Sequence, residues 1–439
     1  MTKPEPLADG LNREQALERM LDLSMRLGRS SELNEILGVI IDALRDLLDA
    51  DRATVFTHDR ARSELVIHVA HGMGGEKAKE IRIPDTAGIA GACASTRTTI
   101  NISDAYADAR FNQEIDRTTG YRTKSILAIP LIDHEGGLVG VAQVLNTRHG
   151  QFSVADERLA AGIASNAAIA LRRAQLIEDH LARVQLEREL SVAREIQESS
   201  FPRALPTNAN YDIVGRSTPA TECGGDAYDL FGLQEGTIVS PEEPCDSVGM
   251  LLADATGHGV GPALSSMQTR AMLRVSFRNG ASLGSAVANI SAQLVDDLPP
   301  SRFVTAWIGR LDFSTATIEC FSAGQGPVYV YRAATDDFED LETDAPPFGI
   351  PVPDLFVGPP RRLQLEVGDL LLLLTDGYYE AMSPTRELWG ALPIQDLVRS
   401  MRGASCQAIL TALDRHVLEH TKAPGTDDDR TAILVRRLG

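Results

Sequence analysis

The chain has 439 residues, too many for one ordinary core, so two domains with a connector are expected. Hydrophobic residues make up 43% of it and charged residues 23%, a globular mix that excludes a disordered or membrane-embedded chain. The formal net charge of −19 argues against a nucleic-acid or anionic-membrane binder, which needs basic surface. Acidity of this size serves solubility, and a cluster of carboxylates within it can also hold divalent cations.

The start of the chain, MTKPEPLADGLNREQ, lacks the apolar core of a signal peptide. Cys93, Cys223, Cys245, Cys320 and Cys406 are scattered without a CxxC pair. That pattern fits a reduced, cytoplasmic chain and not a disulfide framework or zinc site. Residues 14–48 space Leu17, Met20, Leu21, Leu23 and Leu27, then Leu33, Ile36, Leu37, Ile40 and Ile41, by threes and fours, which predicts helix. ATVFTHD, ELVIHVA, SILAIPLI and LVGVAQVLN predict short strands. A helix is expected again from 154. Residues 15–175 thus read as a domain of antiparallel strands with flanking helices.

The helical pattern continues. Residues 166–199 contain no Pro or Gly and are rich in good helix formers. Ile177, Leu181 and Val184 follow a four-then-three spacing, as do Leu186, Leu190 and Ala193, but the two series are out of step. Residues 176–200 therefore read either as a dimeric coiled-coil linker with a break in its seam or as one amphipathic helix packed on a domain. Phe201-Pro202 ends it. From 201 to 439 many strand-like runs alternate with few, grouped helices, expected at 260–278, 281–297 and 404–421. That arrangement predicts an α+β fold with sheets packed together and covered by helices, not an alternating parallel one. The run Leu370–Leu374 is too short to span a membrane and fits a buried strand.

Four aspartates stand out in this half. Asp226 follows two glycines, Asp254 ends VGMLLAD before ATGHG, Asp376 ends LLLLLTD before Gly377, and Asp428 sits in TDDDRT before an apolar run. A carboxylate at the end of a core strand is costly unless paired or bound to a cation, and an adjacent glycine lets the backbone turn or a ligand approach. Convergent aspartates without His or Cys are hard oxygen ligands suited to magnesium or manganese. Taken singly, each also reads as a turn residue or helix cap.

These segments resemble the SpoIIE-type branch of the PPM metal-dependent serine/threonine phosphatases over about 186–439. AREIQESSFPRALP, GGDAYD, DATGHG, SAGQGP, LEVGDLLLLLTDGYYEA, ELWG and DDDRTAILV are similar in order and spacing to that family's elements. The resemblance implies a β-sandwich flanked by helices. It implies two divalent cations, Mn2+ or Mg2+, held by Asp226 and Asp254 with the Ala255 carbonyl, and one shell completed by Asp376 and Asp428. Asp429 would be a neighbour of that shell, the assignment within the triplet being open by one position. It further implies hydrolysis by an activated water without a covalent phosphoenzyme, and a phosphorylated STAS-domain anti-anti-sigma factor as substrate. Gln325 and Gly326 stand where the family shows His and Asn, so altered loop packing or substrate contact is expected there. His258 reads as a turn or packing residue, with a general-acid role as the alternative.

Residues 83–133, NISDAYADARFN above all, resemble GAF domains of cyclic-nucleotide phosphodiesterases and cyclases. Asn146, Phe152, Asp156 and Glu157 fit those relatives' Asn-Lys-Phe-Asp-Glu set, but Thr147 replaces the Lys. A cyclic nucleotide, another small-molecule effector and a ligand-free dimerisation module all remain open. Cys93 reads as a small buried hydrophobe rather than a bilin or redox site. The whole reading is a GAF-regulated phosphatase, expected to be a homodimer with no nucleic-acid or membrane partner. Its rivals are a non-catalytic pseudophosphatase scaffold and a phosphatase of small molecules. A nucleotide hydrolase finds no GxxxxGK[ST] loop.

Overall fold

The computed structural model describes residues 13–67, 81–221, 223–351, 359–422 and 428–439. The first twelve residues, the last three of ELVIHVA, and Thr426 and Asp427 of TDDDRT lie outside them. The chain divides into two compact units, Met1–Gln185 and Leu186–Gly439. The fold is α+β, as expected.

In the first unit α1 (Arg13–Arg29) and α2 (Leu33–Leu47) precede β1 (Ala50–Asp59), β2 (Glu64–Ile67), β3 (Ile81–Pro84), α3 (Gly88–Thr96), β4 (Ile100–Ile102), α4 (Gln113–Thr119), β5 (Ile126–Ile132) and β6 (Leu138–Thr147). The strands form one antiparallel sheet in the order β3-β2-β1-β6-β5-β4. Alternation along the strands sends Val55, Leu127, Ile129 and Val144 toward the helices Arg13–Arg29 and Leu33–Leu47 and Phe56, Ile126, Ala128 and Val141 toward α3. Cys93 lies in that second core. Burial pushes its thiol up to about 12, which makes it inert and favours the packing reading over a redox one. The short helices α3 and α4 were not foreseen, since each is brief and α3 is apolar all round.

The helix α5 runs unbroken over Val154–Ser200, so the change of phase in its apolar series does not interrupt the backbone. Leu181, Leu186, Val192 and Ile196 on it are all more than half exposed.

The second unit contains β7 (Tyr211–Thr218), β8 (Asp226–Gln234), β9 (Thr237–Ile238), β10 (Ser247–Ala255), α6 (Val260–Arg278), α7 (Leu283–Asp297), β11 (Val304–Asp312), β12 (Thr317–Ala323), β13 (Val328–Arg332) and β14 (Asp337–Leu341). β15 (Arg361–Gln364), β16 (Leu370–Leu374), α8 (Asp376–Tyr379), α9 (Ala391–Ser400), α10 (Cys406–Thr421) and β17 (Arg430–Arg437) complete it. Two antiparallel sheets, β15-β12-β11-β10-β8-β9 and β14-β13-β16-β17-β7, pack face to face. Leu230, Leu252 and Trp307 of one meet Leu371, Leu373 and Ile433 of the other.

The outer face of the first sheet is covered by α6 and α7, and that of the second by α9 and α10. This explains the five-leucine run. Leu371 and Leu373 face the opposite sheet while Leu370, Leu372 and Leu374 face helices, so no position of β16 is left for a polar residue. Leu372 is fully buried, and Leu372→Ala is expected to cost about 2–5 kcal/mol in a denaturant melt. A loss below about 1 kcal/mol would contradict this two-sided burial. No helix among the described residues is long and apolar enough to cross a membrane.

Candidate metal-binding and active site

The acidic residues gather where strands of both sheets end. Asp226 opens β8 and stands directly across from Asp254 near the end of β10, a like-charge pairing that is unfavourable in a sheet unless something compensates it. Asp376 starts α8 just after β16, and Asp428 and Asp429 precede β17, the neighbour of β16. Hydrogen bonding joins the two strand ends. Thr375 Oγ1 donates to Asp226 Oδ2 at 2.7 Å and accepts from the Thr431 N–H at 2.8 Å.

The electrostatics show the carboxylates acting on one another. Burial, then Asp254 and Asp429, push the fully buried Asp226 well above the usual carboxylate range. Burial with Asp376, Asp428 and Asp429 raises Asp254 to about 7. Burial with Asp428 and Glu380 raises Asp376 to about 6. Such values mark a site that favours a neutralising partner. The donors are oxygens throughout, which suits hard divalent cations. Among the described residues, no group of three or more His, Cys, Asp or Glu side chains is drawn together closely enough to hold an ion as it stands.

Asp428 and Asp429 differ in kind. Asp429 is buried, and both its oxygens are taken by backbone: the Ala220 N–H donates to Oδ1 at 2.7 Å and the Gly225 N–H to Oδ2 at 2.5 Å. Asp428 is exposed, and its Oδ1 accepts from the Asp429 N–H. Asp429 thus braces the Gly-Gly-Asp turn, while the charge of Asp428 bears on Asp254 and Asp376. This close approach is why the flanking residues are glycines. A Cβ at Gly224 would stand 2.6 Å from the Asp429 carboxylate, and one at Gly225 would stand 2.7 Å from the Ala255 carbonyl oxygen.

The positioning roles of Gln197 and Ser266 were missed by reasoning from sequence, whereas Gln325 was singled out there for altered loop packing or substrate contact. Gln197, near the end of α5, is buried. Its Nε2 donates to the Gly224 carbonyl at 2.7 Å, and its Oε1 accepts from the Gly224 N–H at 3.2 Å. Ser266 of α6, also buried, donates to the Gly225 carbonyl. Gln325 accepts from Thr305 Oγ1 at 2.8 Å and donates to the Leu374 carbonyl at 3.2 Å, tying β11 to the end of β16. Gln325 therefore packs, which is one of the two expectations for that turn.

Replacing Gln197 by Leu strips a buried N–H and C=O of their partners, at about 1–3 kcal/mol for each group. Gln197→Leu is expected to lower the melting temperature and to reduce kcat by about tenfold or more with KM little changed. Unchanged kcat would show that this bridge does not position the turn.

His258 is exposed in the turn between β10 and α6. In the first unit the four residues of the Asn-Phe-Asp-Glu set all have structural work. Asn146 accepts from the Lys124 N–H at 2.6 Å and donates to the Tyr121 hydroxyl at 2.8 Å. Phe152 is in the core. Asp156 takes the N–H and hydroxyl of Ser153 at the start of α5, and Glu157 accepts from Asn101 at 2.7 Å.

Comparison with known families places these features. Residues 244–438 match the family model described as Stage II sporulation protein E (SpoIIE); Asp254, Asp376 and Asp428 fall inside the match and Asp226 before it. Residues 32–171 match the GAF domain model. A Drosophila melanogaster protein named dual 3',5'-cyclic-AMP and -GMP phosphodiesterase 11 is 46% identical over 104 residues, which are 24% of this chain and 7% of that protein. The match therefore spans a small fraction of that relative's length.

Among solved structures, the RsbU and RsbW domains of a Mycobacterium tuberculosis protein align over 54% of this chain and 63% of that one, with 25% identity and a TM-score of 0.45. The SiaA PP2C domain of Pseudomonas aeruginosa aligns over 59% and 99%, with 20% identity and a TM-score of 0.47. At such scores the structural likeness adds no weight to the family matches. The chain carries a SpoIIE-type phosphatase domain of the PPM family behind an N-terminal GAF domain.

Proposed function

We propose that the chain is a cytoplasmic, metal-dependent protein serine/threonine phosphatase, with a GAF sensor at 15–175, a linker at 176–200 and the phosphatase at 201–439. The observation that carries this reading is the convergence of Asp226, Asp254 and Asp376 at the joined strand ends, with Asp226 across from Asp254 and Thr375 bonded to Asp226 beside Asp376. Asp226, Asp254, Asp376 and Asp428, with the Ala255 carbonyl, would hold two ions, Mn2+ or Mg2+. When bound, such ions supply an activated water at neutral pH and offset charge on a phosphoryl group. The chain's own part is to set the donors. Thr375 orients Asp226, Asp429 braces the Gly-Gly-Asp turn, and Gln197 and Ser266 fix that turn's backbone.

The substrate we infer is a phosphorylated STAS-domain anti-anti-sigma factor, and the sensor is taken to answer a small-molecule effector, a cyclic nucleotide being one candidate. The exposed apolar residues on α5 support a homodimer paired through that helix. The test is phosphate release from a phosphorylated STAS-domain protein in Mn2+, comparing the full chain with a form starting near residue 186. Release by either form supports the substrate class, and the difference between them gives the direction of regulation. Failure of both, with turnover of a generic phosphate ester retained, would contradict the substrate class alone.

A further inference from the structure

On the face of β8 opposite Asp226, three residues along, lies Asp229, which is fully buried. Arg274 of α6 grips both its oxygens, at 2.5 and 2.8 Å, and Arg270 Nε stands 3.0 Å from Oδ2. One carboxylate thus faces two guanidiniums. Arg278 adds a third on the same helix face, and its charge, like that of Arg274, bears on Arg270. These three arginines, spaced by four residues, line a cavity of about 540 Å³ together with Arg203 from the stretch after α5.

Among the described residues, none of the side chains lining the cavity is acidic. The acidic residues next to it, Glu242 and Glu243, line a separate cavity of about 190 Å³. Much of the remaining wall is apolar, Phe201, Leu230, Phe231 and Val275 among it, and the Arg274 guanidinium sits 5.2 Å from the Phe231 ring centroid. In a chain with a net charge of −19, half-buried Arg270 and Arg274 share the single Asp229 carboxylate, and exposed Arg203 and Arg278 add two more positive charges to the same pocket, a local excess that suits an anionic occupant.

We propose that this cavity is a binding site for a small organic phosphate, a doubly charged phosphate group on a flat apolar body of nucleoside monophosphate type. Arginine forks match phosphate oxygens in pairs, and the wall of Phe201, Phe231 and Val275 offers the apolar contact a ring needs. The volume lies within the range of small-ligand sites, roughly 300–1,000 Å³. The site is separate from the aspartates and does not depend on the catalytic reading.

Calorimetry on the full chain in EDTA, with AMP as probe and sulfate as the plain anion, tests it. EDTA keeps metal-borne phosphate binding out of the signal. The expected result is saturable AMP binding at least tenfold tighter than sulfate, weakened about tenfold or more, near 1.4 kcal/mol, in the doubly substituted Arg203→Glu, Arg278→Glu form. Both arginines are exposed at the rim, so the melting temperature without ligand should hold. If it falls, Arg278→Gln alone provides the comparison, with weaker AMP binding still expected. An absence of saturable AMP binding, equal affinity for sulfate, or full affinity retained in these variants would overturn the proposal.

Discussion

Asp254→Asn is expected to abolish phosphatase turnover, by about 10³-fold or more, while making the metal-free protein more stable. Asp254 stands opposite Asp226 and feels Asp376, Asp428 and Asp429, and its carboxyl is raised to about 7. The folded chain therefore holds a proton that the unfolded chain releases near pH 4. Its contribution to metal-free stability is complete below about pH 4 and is lost as the pH climbs through about 7. Asp376, raised to about 6, acts in the same direction.

Metal-free wild type should thus melt at a lower temperature at pH 8 than at pH 5. Asp254→Asn should flatten that slope and gain on the order of 2–4 kcal/mol at pH 8. Mn2+ should raise the wild-type melting temperature and leave the variant's nearly unmoved. Loss of stability in the metal-free variant at pH 8 would show that Asp254 is held by partners that favour its charge.

Gly377→Ala is expected to be among the most damaging single substitutions in the second unit. A Cβ at 377 would overlap the Asp429 carbonyl and press on Arg430 Cγ. Because the obstacle is backbone of the adjacent segment, relief requires moving Asp428 and Asp429 away from Asp376. About 3 kcal/mol of stability should be lost, and turnover with it. The control is Gly403→Ala, where no heavy atom lies within 4 Å of the added carbon; it should be neutral within about 0.5 kcal/mol. Equal melting temperatures for the two variants would contradict the close packing of α8 on the start of β17.

Much of the fold was legible because apolar pattern and burial coincide. The alternating strands and the helices at Val260–Arg278, Leu283–Asp297 and Cys406–Thr421 announce themselves by period and length. The short helices α3 and α9 carry too few turns for that. The aspartates were legible because an acid at the end of an apolar strand contradicts its surroundings.

Gln197 and Ser266 were not. A glutamine in a charged helix looks like a solvated residue, and only the fold reveals that its amide meets both polar groups of Gly224. The roles of Asp428 and Asp429 are equally hidden in a run of identical residues. The arginines of α6 read as an ordinary charged face until Asp229 and the cavity beside them are seen.

The most direct measurement is turnover of p-nitrophenyl phosphate by the purified full chain across a Mn2+ titration, beside Asp376→Asn. Turnover that rises saturably with Mn2+, disappears in EDTA and is lost in the variant is the expected result. Turnover indifferent to EDTA, or retained in Asp376→Asn, would contradict a phosphatase built on these aspartates.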